Sequence, residues 1–295
     1  MVMPQETLRQ QLREILALPA VIDLPDATIS AERVEKDTVH TELVIGQMPA
    51  TFLRPVGDGP FPTVLYCHAH GGKYDLGRRE LIQGAPWISS PAAPDFLNAG
   101  YAVLCVDMPG FGDREPEGTE SALSKAALWR GQPLFGRMIQ DLMAAMCWLR
   151  AQDCVDNSRI ASFGASMGAA HSYWLAALDP EICAAAHLIV LADIAPLIAC
   201  GAHDRHGHFL TVPGLLNLAE SGDIAALIAP RPQFIAHGGT DELTPKPARL
   251  AALQKVQAAY GTFDTLDIIF ASESGHLETP EMRTAAMAFL ARAFA

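Results

Sequence analysis

The chain has 295 residues, of which 50% are hydrophobic, so it can bury a sizeable core within one large domain. Its formal net charge of -12 argues against nucleic acids and anionic membranes, because proteins bind both mainly through clustered lysine and arginine. A small molecule is the expected partner, and homo-oligomerisation stays open because a self-complementary surface is not visible in one sequence.

Neither the start of the chain nor its cysteines suggest an exported protein. The first residues lack a basic leader, and no apolar stretch reaches membrane-spanning length without a charge. The six cysteines, at positions 67, 105, 147, 154, 183 and 200, have neither metal-ligand nor redox-motif spacing. Most have apolar neighbours, so we expect buried free thiols in a reducing compartment, and the sequence predicts a cytoplasmic protein.

In chain order, apolar residues at helical spacing first predict an amphipathic helix over residues 5–18, inside an N-terminal helical arm of residues 1–35 that packs on the body of the domain. Strands and helices then alternate. The predicted strands are 39–45, 50–54, 63–67, 101–107, 159–163, 187–192, 233–237 and 266–271, and the predicted helices lie near 92–99, 121–152, 167–178, 245–260 and 279–294. This alternation predicts an α/β fold in residues 36–295, with a mostly parallel central sheet and helices on both faces. Inserted segments at about 73–90 and 194–230 are expected to form a small cap.

Residues Gly164 to Gly168 form a Gly-x-Ser-x-Gly motif between a predicted strand and a predicted helix. A tight strand-to-helix turn lifts the serine clear of the sheet, and the glycines let the backbone turn that sharply. Ser166 is therefore the predicted nucleophile.

A serine hydroxyl needs an imidazole to accept its proton and a carboxylate to orient that imidazole. Two loops that follow predicted strands supply these groups in the expected chain order. Asp241 follows the strand at 233–237 and is the predicted acid, and His276 follows the strand at 266–271 and is the predicted base. Asp193, at the end of the strand at 187–192, is an alternative acid.

These motifs resemble those of the α/β-hydrolase superfamily, and more narrowly its dienelactone-hydrolase-like and acetyl-xylan-esterase-like serine esterases. The likeness extends over roughly residues 40–295 and is carried by segments 67–72, 164–168, 223–232, 238–241 and 274–276. Dienelactone hydrolases proper have a cysteine nucleophile where this chain has Ser166, which favours ordinary ester chemistry. The resemblance implies an α/β-hydrolase fold and suggests a small carboxylic ester or an acetylated sugar as the substrate, without choosing between them. The set of Ser166, Asp241 and His276 predicts ester hydrolysis through an acyl-enzyme intermediate, without metal or cofactor.

Such a reaction needs hydrogen-bond donors for the negative oxygen of the tetrahedral intermediate. The predicted oxyanion hole consists of the N–H of Met167 and the N–H of His70 or Gly71, in the loop after the strand at 63–67. The predicted substrate-binding residues, which lie in the two inserted segments, are Trp87, Phe209 and Leu210.

Other interpretations stay open at this point. His68 and His70 could bind zinc in a metal-dependent hydrolase, and a second histidine cluster of unassigned role comprises His203, His206 and His208. The fold also serves as a binding module without catalysis. The same three catalytic groups would suit acyl transfer or cleavage of a carbon-carbon bond, and the identity of the substrate is not encoded in these motifs.

Overall fold

One nine-stranded sheet organises the chain in the computed structural model, which describes residues 4–295. The strands are β1 (Ala27–Glu35), β2 (Thr38–Ile45), β3 (Met48–Pro55), β4 (Phe61–Cys67), β5 (Ala102–Val106), β6 (Val155–Ala165), β7 (Ala184–Leu188), β8 (Gln233–Gly238) and β9 (Leu266–Ala271). Their order across the sheet is β1-β2-β3-β5-β4-β6-β7-β8-β9. The first three pairings are antiparallel, and all pairings from β5 to β9 are parallel.

Helices cover both faces of this sheet. They are α1 (Gln5–Ile15), α2 (Glu80–Gln83), α3 (Ala93–Asn98), α4 (Glu120–Trp129), α5 (Leu134–Arg150), α6 (Met167–Leu178), α7 (Ile194–Ala199), α8 (Ser221–Ala226), α9 (Lys246–Tyr260) and α10 (Pro280–Ala293). Alternate residues of the central strands point to opposite faces. In β4, Val64 and Tyr66 pack in the layer that contains α3 and α10, whereas Leu65 packs with α5 and α6. The predicted α/β-hydrolase fold with a mostly parallel sheet is confirmed.

The N-terminal segment differs from the prediction in one respect. Helix α1 packs on the body through the buried Leu12 and Leu16, and Arg9 donates hydrogen bonds of 2.9 Å to the carbonyl oxygens of Ala177 and Leu227. Residues 27–35, however, form strand β1 rather than part of a helical arm. Every residue of β1 is exposed, so its sequence lacks the alternation of apolar and polar residues that marks a half-buried strand.

Two further element boundaries differ because of local backbone conformation. The predicted strand 187–192 is instead β7, which ends at Leu188 because Ile189 adopts a positive φ of 58°. The single helix predicted over 121–152 is divided into α4 and α5. Gly131 has a φ of 81° and Pro133 precedes the first turn of α5, so neither residue continues a helix.

The cysteines are all free thiols, but their burial is less uniform than predicted. Cys67 and Cys105 are buried, Cys200 is exposed, and the other three are partly exposed. Within residues 4–295, the structure contains no helix long and apolar enough to cross a membrane.

The parallel strands place their carboxyl ends at one edge of the sheet. The loops that follow β4, β6, β7, β8 and β9 therefore meet there, which is where ligands bind in open α/β sheets. All five of these loops contain predicted site residues.

Candidate active site

Ser166 sits in a sharp turn between β6 and α6, with a φ of 54° and a ψ of -121°. Two glycines make the turn sterically feasible. A Cβ atom on Gly164 would lie 2.3 Å from the carbonyl carbon of Gly168, and one on Gly168 would lie 1.9 Å from the carbonyl oxygen of Cys67. The Ser166 N–H donates a 3.0 Å hydrogen bond to the Leu188 carbonyl oxygen. The neighbouring strand thus helps to hold the serine in an unfavourable backbone conformation.

The structure brings Ser166, His276 and Asp241 together from three different loops. The Ser166 Oγ lies 2.8 Å from His276 Nε2, and His276 Nδ1 lies 2.8 Å from Asp241 Oδ2. An ionised carboxylate only accepts hydrogen bonds, so His276 Nδ1 carries a proton and Nε2 is free to accept one from the serine. This is the geometry that a serine nucleophile requires.

Asp241 is buried at 3% exposure and is well supplied with hydrogen bonds. Besides His276, it accepts hydrogen bonds from the Leu243 N–H at 2.8 Å and from the Thr244 hydroxyl at 2.9 Å. Burial alone favours the neutral acid, but the hydrogen bond and charge of His276, with the two further donors, outweigh it and hold the pKa of Asp241 below its usual value. The carboxylate is therefore ionised at neutral pH.

Asp193, the alternative acid, has other partners. Its Oδ1 accepts a 2.8 Å hydrogen bond from the Gly222 N–H at the start of α8, and its Oδ2 lies 2.9 Å from Lys255 Nζ. The two carboxylate oxygens thus join α8 and α9 to the loop that follows β7. His276 is hydrogen-bonded to Asp241 instead.

The predicted oxyanion donors come from two loops at the same edge of the sheet, and one of them, Met167, directly follows the serine. Met167 is the first residue of α6, where backbone N–H groups have no intrahelical acceptor. Nothing in the described part of the chain accepts a hydrogen bond from the N–H of Met167, His70 or Gly71. Gly71 has a φ of 50°, and a Cβ atom there would lie 2.1 Å from the Trp87 ring. The loop after β4 therefore offers free N–H groups and little room for a larger residue.

Two buried carboxylates anchor this loop, and sequence analysis did not identify either. Glu120 accepts hydrogen bonds from His70 Nε2 at 2.7 Å, from the Tyr74 hydroxyl at 3.0 Å and from the Phe209 N–H at 2.7 Å. Glu80 accepts one from the Ala69 N–H at 3.0 Å and one from Trp87 Nε1 at 2.6 Å. A glutamate near the start of a helix usually indicates a solvated first turn, so the sequence carried no sign of these roles.

Hydrogen bonds also occupy the ring nitrogens of His68 and His70. His68 Nδ1 donates to the Ala69 carbonyl oxygen at 2.9 Å, and Nε2 accepts from the Met108 N–H at 3.1 Å. His70 donates from Nε2 to Glu120, and its Nδ1 accepts from the Gly72 N–H at 3.0 Å. A zinc ligand needs a free ring lone pair, which neither imidazole has in this arrangement.

The three predicted substrate-binding residues lie in different surroundings. Trp87 is half-buried between Gly71 and the loop after β9, which contains His276. Its carbonyl oxygen accepts a 2.9 Å hydrogen bond from the Glu278 N–H of that loop. Phe209 is buried, with its ring centre 5.8 Å from that of His70. Leu210 lines a cavity of about 470 Å³ in the segment from Ile194 to Asn217. All three border loops of the site.

Comparison with known proteins places the chain in a family. Residues 62–205 match the family model described as the alpha/beta hydrolase fold. In an alignment of 296 positions, the chain is 36% identical to YtaP, a candidate hydrolase of Bacillus subtilis (strain 168). The alignment covers 96% of this chain and 97% of that protein.

Solved structures share the fold at low sequence identity. Acetyl xylan esterase 1 from Thermoanaerobacterium sp. JW/SL YS485 matches with a TM-score of 0.69 at 17% identity, covering 100% of both chains. A glucuronoyl esterase from Solibacter usitatus matches with a TM-score of 0.70 at 14% identity, covering 97% of this chain and 92% of that one. At these identities the likeness establishes the fold alone.

Proposed function

The chain belongs to the α/β-hydrolase family, and from that premise we propose that it is a serine esterase that cleaves small carboxylic esters through an acyl-enzyme intermediate. The observation that carries the proposal is the chain of two 2.8 Å contacts from Ser166 through His276 to Asp241. The ester-cleaving activities named for the structural neighbours point the same way.

In the first half of the proposed reaction, the Ser166 Oγ attacks the ester carbonyl while His276 Nε2 takes the serine proton. The N–H of Met167 and the N–H of His70 or Gly71 stabilise the negative oxygen of the tetrahedral intermediate. His276 then donates the proton to the departing alcohol oxygen, which leaves an acyl group on Ser166. Throughout, the ionised Asp241 stabilises the positive charge of the imidazolium.

In the second half, water replaces the alcohol. His276 removes a proton from the water as it attacks the acyl carbonyl, and the same N–H groups stabilise the second tetrahedral intermediate. The imidazolium returns its proton to the Ser166 Oγ, and the carboxylic acid departs. The enzyme is thereby restored to its starting state.

A fluorophosphonate probe and a chelator together test the type of mechanism. We expect the probe to label Ser166 stoichiometrically and to abolish hydrolysis of acetyl and butyryl esters, because it reacts with activated serines. Prolonged treatment with 1,10-phenanthroline should leave the rate unchanged. Peptide mapping of the adduct and elemental analysis provide the measurements. A stoichiometric zinc whose removal abolishes hydrolysis would support the metal-dependent mechanism instead, and a protein that neither labels nor hydrolyses would be a binding module.

The rate should also depend on pH in one direction. His276 accepts the serine proton only as a neutral imidazole, so kcat/KM should rise with pH along a single limb. Asp241 adds no second limb near neutrality, because its lowered pKa keeps it ionised there. The measurement is kcat/KM for an uncharged ester across the pH range, with circular dichroism at each point. A folded enzyme whose rate fell between about pH 6 and about pH 8 would not use a histidine as its base.

A further inference from the structure

The segment from Ile194 to Asn217 lines a cavity of about 470 Å³ that is open to solvent on one side. All of the described lining residues belong to this segment, and seven of them, from Ile194 to Leu216, are aliphatic. The polar part of the lining includes three histidines and one carboxylate, Asp204. The volume falls in the range of small-molecule sites, which are mostly apolar with a few polar groups.

Contacts fasten this segment to loops on both sides of Ser166. On one side, His206 Nε2 donates a 2.9 Å hydrogen bond to the carbonyl oxygen of Leu243, whose N–H binds Asp241. On the other side, the Phe209 N–H binds the same Glu120 carboxylate that holds His70 in the oxyanion loop. The segment that lines the cavity therefore lies over the edge of the sheet that carries the candidate active site.

The position of the cavity relative to His276 determines whether it would hold the alcohol part or the acyl part of a bound ester. His276 has to protonate the departing alcohol oxygen, so the alcohol part of a bound ester lies on the His276 side of the bond that breaks. His206, in the cavity wall, is fastened to the loop that contains Asp241, the partner of His276. The adjacent Arg205 is ion-paired with Glu242 of the same loop.

We propose that this cavity receives the alcohol part of the ester, and that this alcohol is uncharged and largely apolar. The inference rests on the proposed serine esterase and adds the class of substrate. The aliphatic wall would bind an alkyl or aryl group by removing it from water, at about fourfold in affinity for each buried methylene.

The charges of the wall explain the expected preference for uncharged alcohols. The described lining contains no lysine or arginine, and Arg205, the segment's one arginine, is paired with Glu242. Burial lowers the pKa of His206, so this imidazole is neutral at neutral pH. A carboxylate bound in the cavity would lie near Asp204 without a lysine or arginine in the lining to balance it, and it would lose part of its hydration against the aliphatic wall.

Acetate esters of matched alcohols test the preference, since they share one acyl group. The set is ethyl acetate, hexyl acetate and 6-acetoxyhexanoate, whose leaving alcohols are all primary alkyl. We expect kcat/KM to be at least about tenfold higher for hexyl acetate than for ethyl acetate, and at least about tenfold lower for 6-acetoxyhexanoate than for hexyl acetate. Equal values for all three esters would contradict the proposal.

Variants locate the preference in the cavity. Leu216 lines the cavity and is 43% exposed, whereas Leu250 lies on α9 outside the lining and is 42% exposed. Leu216→Trp should lower the ratio of kcat/KM for hexyl acetate to that for ethyl acetate about tenfold, while Leu250→Trp should leave this ratio unchanged. Asp204→Lys should raise the ratio of kcat/KM for 6-acetoxyhexanoate to that for hexyl acetate about tenfold.

The outcomes separate this inference from the proposed function. If the enzyme labels at Ser166 and cleaves esters, but Leu216→Trp and Leu250→Trp share one substrate profile, the cavity does not hold the alcohol. A Leu216→Trp effect that follows acyl length in a series of ethyl esters, and not alcohol length, would place the acyl group there and also overturn the inference. Failure of the proposed function looks different, because then neither labelling nor hydrolysis of any ester would occur.

Discussion

Ser166→Ala is expected to lower kcat/KM for a cleavable ester by about four to six powers of ten. Removing the hydroxyl removes the bond-forming atom, and neither His276 nor the oxyanion donors can replace it. The residual rate would be that of water attacking an ester bound beside intact hydrogen-bond donors, which exceeds the uncatalysed rate. Rates measured on purified protein with the fluorophosphonate probe as a titrant of active sites would guard against trace wild-type enzyme.

A matched serine on the next helix provides the control. Ser172 lies on α6 and is buried, where its single hydroxyl proton has two acceptors within reach, the Ser162 hydroxyl at 2.9 Å and the Ala186 carbonyl oxygen at 3.2 Å, both away from His276. Ser172→Ala should keep kcat/KM within about threefold while costing some stability, because it removes a buried hydrogen bond. Near-normal turnover by Ser166→Ala, with its melting temperature unchanged, would show that another group is the nucleophile.

The central strands of the sheet could be predicted from the sequence because buried strands consist mostly of apolar residues. Strands β4, β5, β7 and β8, and the part of β6 from Ile160 onward, are nearly continuous apolar runs, which is the mark of a parallel sheet covered on both faces. Strand β1 has no such mark. It pairs with β2 through backbone hydrogen bonds while both of its faces stay exposed, so its side chains carry no record of the pairing.

The residues of the candidate site also fall into those that the sequence could predict and those that it could not. Ser166, Asp241 and His276 were predictable because each follows a strand, and the chain order of a nucleophile, an acid and a base is characteristic. Glu80 and Glu120 were not, because their roles depend on burial and on partners distant in sequence, such as Trp87 and Phe209. The cavity is also a product of tertiary structure, since the segment from Ile194 to Asn217 consists of short helical turns with no sustained periodicity.

Substitution of the acid should have an effect nearly as large as that of the nucleophile. Asp241→Asn is expected to lower kcat/KM about ten-thousandfold. Asparagine can keep its oxygen toward the Leu243 N–H, which places its NH₂ group against His276 Nδ1. The imidazole would then have to accept at Nδ1 and carry its proton on Nε2, and in that tautomer it cannot take a proton from Ser166.

Asp193→Asn serves as the matched comparison, because Asp193 is also a buried aspartate in a loop after a strand at the same edge of the sheet. Asparagine at 193 can still accept the Gly222 N–H, and Lys255 keeps Asp223 as a partner at 2.9 Å. We therefore expect a loss of thermal stability with kcat/KM within about tenfold of wild type. The two variants should therefore differ in what they lose: Asp241→Asn should lose mainly kcat/KM, and Asp193→Asn should lose mainly thermal stability. The reverse ranking of rates, with both proteins folded, would assign the acid to the loop after β7 and require His276 to change partners in the working enzyme.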